Sequence, residues 1–136
     1  MFEPLRVRSY LLDTHTALWW AAGSSRLSEP AKNIIKSKDN TIFLSVVSVW
    51  EAAIKSALGK MPLPGKPGPF FEALAQRSSF TVLPVHLSHA AGVHSLPPVH
   101  RDPFDRLLIS QAIIENLVLI SDDQVFKDYS LPGLVF

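Results

Sequence analysis

His100-Arg101-Asp102-Pro103-Phe104-Asp105-Arg106 puts two carboxylates, two guanidinium groups and a helix start into seven residues. Proline suits a first helical position, because its fixed φ is helical and its missing N–H would have no partner there. Asp102 is then the N-cap and Asp105 falls in the first turn. Beyond it Leu107, Leu108, Ala112 and Ile113 recur at helical spacing, which lays one stripe of a helix from Pro103 to Asn116 on a core. The two acids therefore stand at the rim of something buried. Capping and the helix dipole would by themselves account for both, so the rest of the chain has to decide.

Two other segments end a short apolar run in acid: Tyr10-Leu11-Leu12-Asp13 and Leu117-Val118-Leu119-Ile120-Ser121-Asp122-Asp123. Both read as buried strands of a parallel sheet. Open α/β sheets bind ligands just past the carboxyl ends of their strands, so acids at two strand ends and one helix start could converge. Across the chain, strand-like and helix-like stretches alternate. That alternation predicts a three-layer α/β/α sandwich with a mostly parallel central sheet, as one domain over residues 1–136.

Composition narrows the function classes. The 136 residues are 47% hydrophobic and 18% charged, which is globular rather than disordered. A net charge of +1 supplies no global field for a polyanion, so nucleic-acid contact would need a local basic patch. With no cysteine there are no disulfides or thiolate zinc sites, which fits a reducing cytosol. No apolar run approaches the ~20 residues of a membrane span and no signal-peptide core is seen, so a soluble cytoplasmic protein is expected.

In chain order, Met1 to Arg6 read as a lead-in and Val7 to Leu12 as the first strand, delivering Asp13. Thr14 can cap the next helix or hold a water beside a metal ion. Leu18 to Ala22 form an apolar helix stopped by Gly23, with Trp19 and Trp20 as core or subunit interface. Ser28-Glu29-Pro30 opens a second helix, with Ile34 and Ile35 inward and its lysines solvated. Thr41 to Val47 reads as a strand, and Ser48 as the cap of a helix Val49 to Leu58 that buries Trp50, Ala53, Ile54 and Ala57. Glu51 would then complete a capping box with Ser48, and Lys55 would pair with it on the surface for only ~0.3–0.5 kcal/mol. After the Pro- and Gly-rich loop Lys60 to Pro69 come a helix Phe70 to Arg77, a strand Phe80 to Pro84 and a short helix Ser88 to His94. His86, His89 and His94 sit at spacings that put at most two on one helical face, which argues against a zinc site. A short helix from Ser121 to Tyr129 and a last strand Leu134 to Phe136 complete the reading.

A group of about four carboxylates without cysteine is a hard-oxygen site, suited to Mg2+ or Mn2+. Such a cation offsets the repulsion among the acids and can stabilise charge building on a phosphodiester. Leu11-Leu12-Asp13-Thr14, Ser48-Val49-Trp50-Glu51 with Lys55 and Gly59-Lys60, the residue 100–108 block, and Leu119-Ile120-Ser121-Asp122-Asp123 resemble, in order, the four acidic blocks of the PIN-domain family. More narrowly they are similar to the VapC-like toxins of bacterial toxin–antitoxin pairs.

The resemblance implies a metal-dependent endoribonuclease with a PIN-like fold, usually a homodimer, acting on RNA and inhibited by a cognate antitoxin. By the same resemblance Asp13, Glu51, Asp105 and Asp123 are the catalytic and metal-binding acids. Asp102 and Asp122 each lie one register from a family position, and with Thr14 they support the site or the substrate. Arg101 and Arg106 are phosphate contacts, or partners of Asp102 and Asp105. Three rivals remain. An aspartyl phosphatase needs a second Asp where His15 stands, a phospho-receiver needs its adjacent acids first rather than last, and a non-catalytic module keeps the fold alone.

Overall fold

A parallel strand covered on both faces needs continuous apolar side chains, and that is what the short apolar runs supply. They form β1 (Ser9–Leu12), β2 (Thr41–Ser45), β3 (Thr81–Leu83), β4 (Val118–Ile120) and β5 (Leu134–Val135). The stretches between them form α1 (Thr14–Ala22), α2 (Glu29–Lys36), α3 (Val46–Ala57), α4 (Pro67–Ser78), α5 (Leu87–Gly92) and α6 (Pro103–Glu115), with 3-10 turns at Val93–Ser95 and Gln124–Asp128. The structure is a computed structural model and describes residues 8–136. The expected lead-in and Val7 lie outside the described residues.

All pairings are parallel and the sheet order is β3-β2-β1-β4-β5. Tyr10 pairs with Ile42 on one side and Val118 on the other, and Leu11 with Phe43 and Leu119. The chain runs outward from β1 to β3, then crosses back so that β4 lies on the far side of β1. That reversal opens a crevice at the carboxyl ends of β1 and β4. Alternate strand residues feed two cores. Tyr10, Leu12, Ile42, Leu44 and Ile120 pack with Ala17 of α1, Ala31 and Ile35 of α2, and Phe71 and Leu74 of α4. Leu11 and Leu119 pack with Leu108, Ile109 and Ala112 of α6 and with Phe126. Each such aliphatic side chain contributes about 1.5–3 kcal/mol by burial. The three-layer parallel architecture is as the alternation predicts.

The second strand and the helix after it differ from expectation. β2 ends at Ser45, not Val47, because Ser45 Oγ accepts from Val47 N (3.0 Å) and donates to Gln111 Oε1 of α6 (2.5 Å). Helix α3 therefore starts at Val46, and Ser48 lies inside it rather than at its cap. Its burial is also inverted: Val47, Ser48, Glu51 and Ala52 are buried, while Trp50 is 49% exposed and Ile54 and Leu58 face outward. Helix α4 starts at Pro67 instead of Phe70, since prolines fit a first turn. In α6 the buried stripe is Leu108, Ile109 and Ala112, with Ile113 exposed. His89 is buried with both ring nitrogens in use, Nδ1 accepting from His86 N (3.0 Å) and Nε2 lying 2.8 Å from Glu115 Oε2, so this ring has a structural role. Among the described residues, no helix is long and apolar enough to cross a membrane.

Candidate active site

Asp13 follows the last residue of β1 and precedes α1. It holds the N-cap position, yet its side chain makes no cap bond; Oδ2 instead accepts from Ser121 Oγ at the end of β4 (2.6 Å). The main chain repeats the link, with Asp13 N donating to Ile120 O (3.0 Å). Asp13 is 5% exposed. Burial pushes its pKa up, aided by the charge of Glu51 and opposed by the Ser121 hydrogen bond and by His15. Thr14 does not cap α1 as expected. Its hydroxyl donates to Ser48 Oγ (2.8 Å) and ties the start of α1 to α3.

With Ser48 so engaged, the capping-box account of Glu51 falls away. Glu51 is buried at 3% exposure on the inward face of α3. Oε2 accepts from Lys55 Nζ, while Oε1 is buried without a hydrogen-bond partner. The pair expected on the surface is therefore half internal. Partial burial works to lower the Lys55 pKa, but Glu51 outweighs it, with help from the charges of Asp102 and Asp105, and the net shift is upward.

Asp102 caps α6 as predicted, its Oδ1 accepting from Phe104 N (2.8 Å) and Asp105 N (3.1 Å). That cap fixes Asp105 in the first turn. Burial, then the charges of Asp13, Asp102, Glu51 and Asp123, push the Asp105 carboxyl up to about 8. His100 Nε2 lies 3.0 Å from Asp105 Oδ2, and its hydrogen bond does not offset that repulsion. Arg106 is not paired with either aspartate. Nη1 donates to Pro97 O (2.8 Å), His100 O (3.2 Å) and Tyr129 Oη (3.3 Å), and Nη2 to Val93 O (3.3 Å) and Leu96 O (3.4 Å). Its donors hold the loop that carries His100, which replaces the expected phosphate contact. Arg101 is exposed beside the helix start.

After β4, Ser121 Oγ also accepts from Asp123 N (3.0 Å), so one buried serine joins the first and fourth acidic blocks. Asp123 is exposed, and its Oδ1 accepts from Val125 N (3.1 Å). Asp122 is exposed and is not among the charges that raise Asp105.

The charges of Asp13, Asp102, Glu51 and Asp123 all act on Asp105, and Ser121 links Asp13 with Asp123, so the four blocks lie in one neighbourhood at the carboxyl ends of β1 and β4. Among the described residues, no three carboxylates or imidazoles stand close enough together to hold a metal ion. Several oxygens are held instead by Ser121, Lys55, His100 and Val125 N. The chemistry of the candidate donors still fits a hard divalent cation: all are oxygens, Glu51 Oε1 lacks a partner, and burial together with neighbouring negative charge raises Asp105. Two contacts escaped the sequence reading: the bond from Ser121 to Asp13 and the approach of His100 to Asp105 both depend on the tertiary fold, and only the serine two residues before a strand-end acid hinted at the first.

The PIN domain family matches residues 10–131. Ribonuclease VapC22 of Mycobacterium tuberculosis (strain ATCC 25618 / H37Rv) is 28% identical over 123 residues, 90% of this chain and 92% of that protein. Among solved structures the chain is similar to VapBC2 from Rickettsia felis bound to a DNA fragment from their promoter, with a TM-score of 0.69 at 18% identity over 93% of this chain and 96% of that one. A toxin–antitoxin complex from Klebsiella pneumoniae gives a TM-score of 0.60 at 19% identity, with the same shares covered. At these identities the structural likeness carries the fold.

Proposed function

Because the chain belongs to the PIN-domain family, we propose that it is a Mg2+- or Mn2+-dependent endoribonuclease that hydrolyses RNA phosphodiester bonds. What supports this reading is that the charges of Asp13, Glu51 and Asp123, carried on three other blocks, all bear on Asp105, and that Glu51 Oε1 is buried without a partner. Asp13, Asp105 and Asp123 would hold the ion, with Glu51 close by. When bound, the ion supplies charge stabilisation to the scissile phosphate and relieves the repulsion among the acids. The chain's own residues set the geometry: Ser121 fixes Asp13, the Asp102 cap fixes Asp105, and Arg106 holds the loop that brings His100 to it. Exposed Arg101 stands where a phosphate of the RNA strand can reach a guanidinium. The named relatives support a toxin role, with a cognate antitoxin as partner. A cytoplasmic homodimer built from one PIN-like domain per chain completes the proposal.

The test is cleavage of RNA by purified protein with Mg2+, Mn2+ or chelator. Cutting is expected with metal and absent in chelator. D13N should fall to background while its melting profile is kept, because an asparagine oxygen can still accept from Ser121. Protein that cuts no RNA with either ion, and gains no stability from either, would refute the enzyme reading and leave a non-catalytic module.

A further inference from the structure

A group of carboxylates of which Asp13 and Glu51 are buried is eased by nearby positive charge, and α3 carries one. Lys55 Nζ donates to Glu51 Oε2 and stands 5.6 Å from the centre of the Phe104 ring, which is itself packed edge-on against Trp50 at 4.8 Å. The ring and the carboxylate together hold the ammonium beside Asp102 and Asp105. An exposed i,i+4 pair would count for little. Here the acid is buried, and removing the lysine would leave its charge uncompensated. The lysine side chain is 29% exposed, so it has a way out to water, whereas Glu51 has none and keeps a second oxygen free.

A tethered cation, bonded to one oxygen of a buried acid and open to solvent on its other side, is built to be exchanged. We propose that Lys55 is an internal counter-ion of the acidic pocket: it neutralises Glu51 while the site is metal-free, yields that oxygen to an arriving divalent cation, and so sets how tightly the site takes the metal. This rests on the acidic cluster being the metal centre. It makes Lys55 a positioning residue, acting through Glu51.

The experiment is calorimetric titration of the full chain with Mn2+ alone, without RNA, together with melting in chelator. K55M should melt lower than the wild type in chelator, yet bind Mn2+ roughly tenfold more tightly, because the competing charge is gone. K55R should restore both values to near wild type. A lysine that merely braces the helix would weaken both quantities together. If K55M does not fold, K55Q keeps an N–H donor for Glu51 without the charge and carries the same comparison. Mn2+ affinity unchanged or weakened in the neutral variants would overturn the role of Lys55 alone. A wild type that binds no Mn2+ would remove the metal centre, and this role with it.

Discussion

At the scale of single residues, Asp105 stands out for the negative charge around it. It is partly buried and faces four other carboxylates, so its folded pKa of about 8 lies far above the ordinary 3.8. The sign follows from linkage: between those values the folded chain holds a proton that the unfolded chain has released. Its stabilising contribution is fully present below the ordinary value and is lost as pH rises through about 8. In chelator the protein should therefore melt lower at pH 9 than at pH 6, and D105N should make that slope shallower, as scanning calorimetry would record. A wild-type melting temperature flat across that range would mean the carboxylates do not repel as described. Asp13 adds to the same slope, since burial raises its pKa too.

At the scale of elements, the beginnings of helices were legible where a special residue forces them. Pro103 after Asp102 marked the start of α6, and Ser28 before Glu29-Pro30 marked α2, whose cap accepts from Ala31 N. The start of α3 was not legible, because Val46 and Val47 are β-branched and continue the strand pattern, while the bond from Ser45 to Gln111 that ends the strand comes from a distant helix. The inward face of α3 was misread as well: Val47 and Ala52 enter the two cores and Ser48 bonds Thr14, which turns the larger Trp50 and Ile54 outward. The α5–α6 contact offers a prediction against ordinary helix propensity. Replacing a helical glycine by alanine normally stabilises by about 0.5–1 kcal/mol. At Gly92, however, a Cβ would meet Ser110 Oγ at 2.6 Å and Ile114 Cδ1 at 3.0 Å. Ser110 is buried and donates to His89 O (2.7 Å), so it cannot swing aside without losing that bond. G92A should thus destabilise by about 1–3 kcal/mol in urea melts; an unchanged or raised midpoint would show that α5 can slide.

At the scale of the whole molecule, the layer architecture could be read from sequence because parallel strands covered on both faces leave plain apolar runs, and the four acidic blocks because their order resembles that of the PIN-domain family. The order of strands could not, since nothing in Leu117–Ile120 says which neighbour it takes; only the crossover to the far side of β1 makes Asp13 and Ser121 adjacent. A chain ending at Asn116 keeps the residues of every described helix but loses β4 and β5, so β1 becomes an edge. It should show helical far-ultraviolet dichroism without cooperative melting, and a sharp transition would contradict the central place of β1. The Asp13–Ser121 bond spans 108 positions. During synthesis the first and fourth acidic blocks therefore stay unlinked until Ser121 has been added, and any shorter product lacks the bond that holds Asp13 in place.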